Sequence, residues 1–335
     1  MVSIYDIAKK ANVSIATVSN VINKKNHEVS EKIKKRVLKI MEELDYIPNK
    51  IAVSLAKGKT KVIGIVVSDI NNPFFSELVR EIENVLYGLE FDLFLADTRY
   101  ELGKSKEIVK RLASINVGGV LLLNNEVDSE IAKMLSKNKI PTVLYTWDII
   151  YDYVCNLKVD FLKGIKATIK KLYELNHRNI IFTKSIKKLK TFIDREEAFL
   201  KSVNELDFKD LRFKIFEGES TIIGGQKTIR KILSDKDFKP TAIMCVNDIQ
   251  AIGILFSLYD YNINVPKDIS LIGLDNIYLS SVVIPKLATI DLSAKRVGGK
   301  VVSMLFDLIE SEDKRGFEEI IETDLVLRNS VRKVN

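Results

Sequence analysis

Apolar residues recur with two different periods along this chain, and the change of period divides it. Ile4, Ile7, Ala8 and Ala11 fall at i, i+3, i+4 and i+7, the spacing of one helical stripe. Asn12-Val13-Ser14 interrupts the stripe, and Ser14 is a suitable N-cap for a second helix running to about Asn23. On that helix Val18, Val21 and Ile22 face inward, and Ile15, Ala16, Ser19 and Asn20 are left outside. Ser30-Glu31 starts a third helix, whose Ile33, Val37, Ile40, Met41 and Leu44 pack on the first two. Tyr46-Ile47-Pro48-Asn49 ends this bundle. Residues Asn49–Lys57 could form one more short helix, which would need a partner to be stable.

From Val62 onward the pattern alternates strand-like apolar runs with amphipathic helices. Strands are predicted near Val62–Val67, Asp92–Ala96, Gly119–Leu123, Thr142–Tyr145, Asn179–Thr183, Phe213–Phe216, Ala242–Val246 and Ser270–Leu274. Helices between them include Phe75–Leu86, Lys104–Ile115, Leu162–Leu175, Glu196–Leu206, Ile222–Leu233 and Ile249–Tyr261. This βα repeat predicts parallel sheets covered by helices on both faces, and the length allows two such units.

Charge sharpens the division. The first sixty residues hold twelve positive and six negative side chains, nearly the whole +7 surplus of the 335-residue chain. A basic three-helix module with a tight turn between its first two helices reads as a helix-turn-helix, its second helix entering the DNA major groove. The hydrophobic share of 46% is ample for folded cores. Cys155 and Cys245 lie by apolar runs and are expected to be reduced and buried. Neither a signal peptide nor a membrane-length apolar segment is read from the chain, so a cytoplasmic location is expected. There is no Walker lysine motif, Gly-x-Ser-x-Gly, glycine-rich dinucleotide turn or metal-ligand cluster, and His27 and His177 are the only histidines. Neither catalysis nor a cofactor is expected.

Several runs carry a family resemblance. They are Tyr5-Asp6-Ile7-Ala8, Val13-Ser14, Thr17-Val18-Ser19-Asn20-Val21-Ile22-Asn23, Tyr46-Ile47-Pro48-Asn49, Asp69-Ile70-Asn71-Asn72-Pro73-Phe74-Phe75, Asn247-Asp248 and Ile272-Gly273-Leu274-Asp275-Asn276. In these the chain resembles, from end to end, the lactose-repressor/galactose-repressor family of bacterial transcription regulators. The resemblance implies a homodimer on a pseudo-palindromic double-stranded operator, controlled by a small-molecule effector such as a sugar or a phosphorylated metabolite. It implies base contacts from Ile15, Ala16, Thr17 and Asn20, backbone contacts from Ser14, Ser19, Asn23, His27 and Ser30, and a place for Asn49 among the DNA-binding residues. Leu55 would be the family's minor-groove wedge. Many relatives carry Arg where this chain has Asn20, and Asn pairs with adenine where Arg pairs with guanine.

For the body the resemblance implies a periplasmic-binding-protein-like fold with three crossovers. The expected divisions are a head at 1–47, a hinge helix and linker at 48–60, a first lobe at 61–160 plus 292–322, and a second lobe at 161–291 plus 323–335. Ligands of open α/β sheets bind beyond the carboxyl ends of strands. The residues there, with those matching the family's positions, give the expected effector contacts: Asn71, Phe74, Thr146, Trp147, Asp160, Thr191, Arg195, Asn247 and Asp275. Asn124-Asn125 and Asp248 also follow strands, Asp248 being read mainly as a helix cap, and Arg195 as opening a helix. The basic loop Lys184–Thr191 either favours an anionic ligand or carries solvated lysines. A transport-type solute-binding protein, or a regulator whose effector is a partner protein, are the alternatives.

Overall fold

The computed structural model describes residues 2–22, 29–46 and 60–334. It separates into two compact units, Met1–Thr60 and Lys61–Asn335. In the first, α1 (Ile4–Ala11) opens with a reciprocal capping box: the Ser3 side chain accepts from the Asp6 backbone while the Asp6 carboxylate accepts from the Ser3 backbone. It stops at Asn12, which is left-handed at φ 47°. Ser14 Oγ then accepts from Thr17 N at 3.1 Å, starting α2 (Ile15–Ile22). α3 (Glu31–Glu43) follows. Ile7, Ala8, Ala11, Val18, Val21, Val37 and Ile40 form the shared core, so the predicted helical stripes meet as expected. The segment 48–59 expected to hold the hinge helix lies outside the described residues, as do Asn23, His27, Asn49 and Leu55.

The second unit begins with β1 (Val62–Val67), α4 (Pro73–Gly88), β2 (Asp92–Asp97), α5 (Leu102–Ser114), β3 (Gly119–Leu122), α6 (Ser129–Lys137), β4 (Thr142–Tyr145) and β5 (Val154–Asp160). There follow α7 (Phe161–Glu174), β6 (Asn179–Ser185), α8 (Lys190–Leu206), β7 (Arg212–Gly218), α9 (Ile222–Ser234), β8 (Ala242–Met244), α10 (Asp248–Asp260) and β9 (Ser270–Asp275). The unit closes with α11 (Tyr278–Val282), β10 (Ala288–Asp291), α12 (Ala294–Glu310), β11 (Glu318–Glu322) and β12 (Asp324–Val326). Two six-stranded sheets result, in the orders β11-β5-β4-β3-β1-β2 and β12-β10-β9-β8-β6-β7. Every pairing is parallel except that of β12 with β10. A fully buried β1 (Ile63, Ile65, Val66 and Val67) suits a parallel strand covered on both faces.

The chain passes between the sheets three times: at Asp160–Phe161, between β10 and α12, and at Thr323. Two of these passages are stitched together. Thr323 Oγ1 donates to the Asp160 carbonyl at 2.8 Å and accepts from Gly164 N at 3.2 Å. A Cβ on Gly164 would stand 2.6 Å from Thr323 Oγ1, so only glycine allows this approach.

Sequence periodicity did not reveal β5, β10, β11 and β12. β5 carries Asn156 and Lys158 within its apolar run. Asn156 is nevertheless fully buried, because it accepts from Trp147 N (2.9 Å) and donates to Glu318 (2.7 Å). β11 is largely acidic and is a strand because β5 offers it an edge.

Candidate functional site

In the head, the start of α2 stands clear of the core. Ser14, Ile15 and Ala16 are exposed, and Thr17, Ser19 and Asn20 are half-buried. Ser14 and Thr17 are tied to each other, their hydroxyls 2.9 Å apart. Ser30 is exposed at the N-cap of α3 and makes no side-chain capping bond. Burial of Val18 and Val21 on the opposite side fixes which face α2 presents.

In the body, a cleft of about 590 Å³ opens where strand ends of both sheets meet. Asp69, Asn71 and Tyr100 line it from one lobe, and Lys187, Glu219 and Ser220 from the other. Contacts cross between the lobes beside this cleft. Thr191 Oγ1 donates to Asn125 Oδ1 at 2.6 Å, Lys190 pairs with Asp148 at 3.2 Å, and Lys187 Nζ stands 3.5 Å from the centre of the Tyr100 ring. The basic loop is therefore mostly engaged: Lys184 also pairs with Glu196, and Lys190 with Asp194.

Deeper, Arg195 and Asp275 form an ion pair at 2.7 Å with 6% and 4% exposure. Arg195 does not open a helix as read from sequence. α8 begins at Lys190, because Leu189 is the N-cap, so Arg195 sits inside the helix and points inward. Its Nη1 donates to the Val246 carbonyl at 2.6 Å, and the Phe161 and Phe192 rings lie 5.0 and 5.7 Å away. Burial pushes the Asp275 carboxyl up to about 6, against the pull of Arg195. Asp275 is held at φ 119°, and Thr146, a β-branched residue, at φ 64°. Both are strand ends held in a backbone region that side-chain-bearing residues rarely adopt, a recurrent mark of functional sites.

The other expected contacts divide. Thr146 is buried, with Trp147 half-buried beside it. Asn71 is exposed at the cleft mouth. Asp160 caps α7 by accepting from Leu162 N at 2.8 Å, next to the first crossover. Phe74 is buried between Phe75 and Tyr145, with ring centres at 5.5 and 6.5 Å. Asn247 is the N-cap of α10, accepting from Gln250 N (2.9 Å), and its amide donates to the Ser220 carbonyl (3.1 Å). Asp248 is not the cap. It is completely buried and accepts from Thr289 Oγ1 (2.6 Å) and Ile277 N (3.0 Å). Burial, and then the charge of Asp275, push its carboxyl up to about 7.

Sequence reasoning did not single out Glu126, Tyr100 or Tyr145. Glu126 is buried behind the cleft, its carboxylate held by Ser68, Thr98 (2.7 Å) and Asn124. Burial raises its pKa against those hydrogen bonds. Tyr145 ends β4, the one signal in the sequence that could have flagged it. His177 binds Thr241 and the Arg332 carbonyl at 3.0 and 2.9 Å, and burial lowers its pKa, so it stays neutral as a structural residue. Both cysteines are free and buried.

Known proteins match both parts of this chain. Residues 3–49 match the model for bacterial regulatory proteins of the lacI family, and residues 169–331 that for a periplasmic binding protein-like domain. The chain is 34% identical over 337 residues to the HTH-type transcriptional repressor PurR of Aliivibrio salmonicida, covering all of both chains. It is 32% identical over 335 residues to the PurR repressor of Mannheimia succiniciproducens, again over the full length of both. A lac repressor dimer bound to operator and the anti-inducer ONPF superposes with TM-score 0.86 at 24% identity, over 99% of each chain. A ribose-bound lacI-family regulator from Enterococcus faecalis gives 0.72 at 26%, over 82% of this chain and 100% of its own.

Proposed function

This chain belongs to the lacI family of bacterial regulatory proteins, and from that premise we propose that it is a cytoplasmic transcriptional repressor that reads operator DNA with its head and a small molecule with its body. The observation that carries the reading is α2: a short helix whose exposed start, Ser14 to Ala16, lies on a basic module and is oriented by the buried Val18 and Val21. In this reading Ile15, Ala16, Thr17 and Asn20 meet base edges, and Ser14, Ser19 and Ser30 meet phosphates. Asn23, His27, Asn49 and Leu55 keep the roles that the family resemblance implies.

The body would divide into lobes 61–160 plus 292–322 and 161–291 plus 323–335, supported by the three passages between sheets. The effector would lie between them, against Asn71, Thr146, Trp147, Thr191, Arg195, Asn247 and Asp275, with Phe74 and Asp160 acting mainly from behind. Two apolar surfaces support a second copy of the chain as partner. One is the edge strand β2 with Phe94 and Leu95, and the other runs through Tyr278, Val282 and Ile284, the last 92% exposed.

Selection from random duplex DNA tests the reading. Recovery of an inverted repeat, bound with an affinity that falls steeply as salt rises, is the expected result. Equal recovery of all sequences would refute specific reading by the head.

A further inference from the structure

The helix α2 carries no arginine, lysine, aspartate or glutamate. It therefore offers neither the forked cation that pairs with guanine nor the carboxylate that accepts from cytosine. Val18 and Val21, at 0% and 6% exposure, settle its buried side. Ala16 and Asn20 are four residues apart and share the side away from Val18, Ala16 exposed and Asn20 half-buried. Ile15 comes just before them at the start of the helix and is 39% exposed.

Folding does not account for Ile15. It stands outside the apolar cluster of the head, which takes in Val18, Val21 and Ile22. A β-branched residue gains nothing in helix propensity there. Nor does Ile15 cap the helix, since Ser14 does: its Oγ accepts from Thr17 N at 3.1 Å and lies 2.9 Å from Thr17 Oγ1. The same contact occupies the one hydroxyl of the first turn, so Thr17 keeps its methyl as the group to offer a base. The start of α2 is thus a strip of side-chain carbon on a head that holds twelve positive and six negative side chains. Carbon framed by positive charge fits a groove walled by phosphates.

We infer that the operator half-site is A·T-paired under α2: Ile15, Ala16 and the Thr17 methyl pack on thymine methyl groups, and the Asn20 amide pairs with adenine N6 and N7. This rests on the DNA-reading role of α2 proposed above and adds the class of base to it.

Thymine alone among the four bases presents a methyl group in the major groove. Packing it on these carbons takes apolar surface of both partners out of water. A guanine or cytosine in its place would set a polar edge against carbon and lose its water without gaining a partner. Attraction between the lysines and the phosphates is the same for every sequence, so on α2 the discrimination falls to the three carbon contacts and one amide.

The test uses the full chain. Its operator is selected from random duplexes and resynthesised with deoxyuridine in place of one thymidine at a time. Uracil keeps every hydrogen-bonding group of thymine and lacks only the methyl. The expected result is A·T pairs at matching positions of the two half-sites, at one or more of which uracil weakens binding about fourfold, the effect of one buried methyl group. In Ile15→Ala at least one of those positions should become indifferent to uracil, with the melting temperature close to that of the parent because Ile15 lies outside the core cluster. The uracil series on the parent needs no variant and decides the base class even if Ile15→Ala is unstable.

A specific operator that tolerates uracil at every position overturns the inference and leaves DNA reading by the head intact. Uracil sensitivity that is unchanged in Ile15→Ala overturns the role of Ile15. Recovery of no preferred sequence overturns the inference together with the reading it rests on.

Discussion

Asp248→Asn should change how stability depends on pH, and the structure fixes both sign and size. Asp248 is completely buried, and a Cβ on Gly273 would stand 1.9 Å from its Oδ1, so the pocket has no room to hydrate the charge. Its carboxyl is pushed up to about 7 from 3.8. The folded state then holds a proton that the unfolded chain has already released between those values. Stability is therefore lost as pH rises through this window, and the full cost is reached above pH 7. Raising the carboxyl from 3.8 to about 7 corresponds to on the order of 4 kcal/mol, more than half of it lost between pH 5 and 8. In D248N the amide oxygen still accepts from Ile277 N, and Thr289 turns to accept from the amide nitrogen, at a local cost of about 1 kcal/mol. Urea melts of both proteins at pH 5 and pH 8 check this. The difference between variant and parent should move toward the variant by roughly 2–3 kcal/mol as pH rises. A difference that stays constant across that range would show that Asp248 is charged throughout, and the burial argument would fail.

Three further outcomes follow from the packing. Arg195→Ala leaves Asp275 without its partner at 2.7 Å and should cost about 3–5 kcal/mol in urea unfolding. Ser14→Ala removes the oxygen that caps α2 through Thr17 N and should cost the head about 1 kcal/mol, read as a lower melting temperature with reduced operator affinity. Gly253→Ala would place a Cβ 2.0 Å from the Ile222 carbonyl, where α10 meets the start of α9, and should cost about 1–3 kcal/mol without altering the head.

The head was legible because its information is local. The stripe Ile4, Ile7, Ala8, Ala11 and the cap at Ser14 are relations within one or two turns, and the structure shows them as read. In the body, long apolar runs such as Val62–Val67 and Gly119–Leu122 announced parallel strands. Strands whose burial is settled by neighbours did not: β5 tolerates Asn156 only because Trp147 and Glu318 complete its hydrogen bonds.

The site shows the same division. That Asp275, Asn247 and Thr146 stand at strand ends was legible, because where a strand ends is written locally. That Arg195 spends its charge on a carboxylate eighty residues away was not, nor that Thr191 reaches Asn125 across the cleft. Asp248 shows why. Beside Asn247 at the start of a helix it reads as a cap, yet the cap is Asn247, and Asp248 turns inward to Thr289 and Ile277. Sequence alone determined the two-part plan, the exposed second helix of the head and the strand ends of the body, since period, capping and charge act between near neighbours. Tertiary structure decided which polar groups are buried, paired or left without partners, since desolvation depends on every element packed around a group.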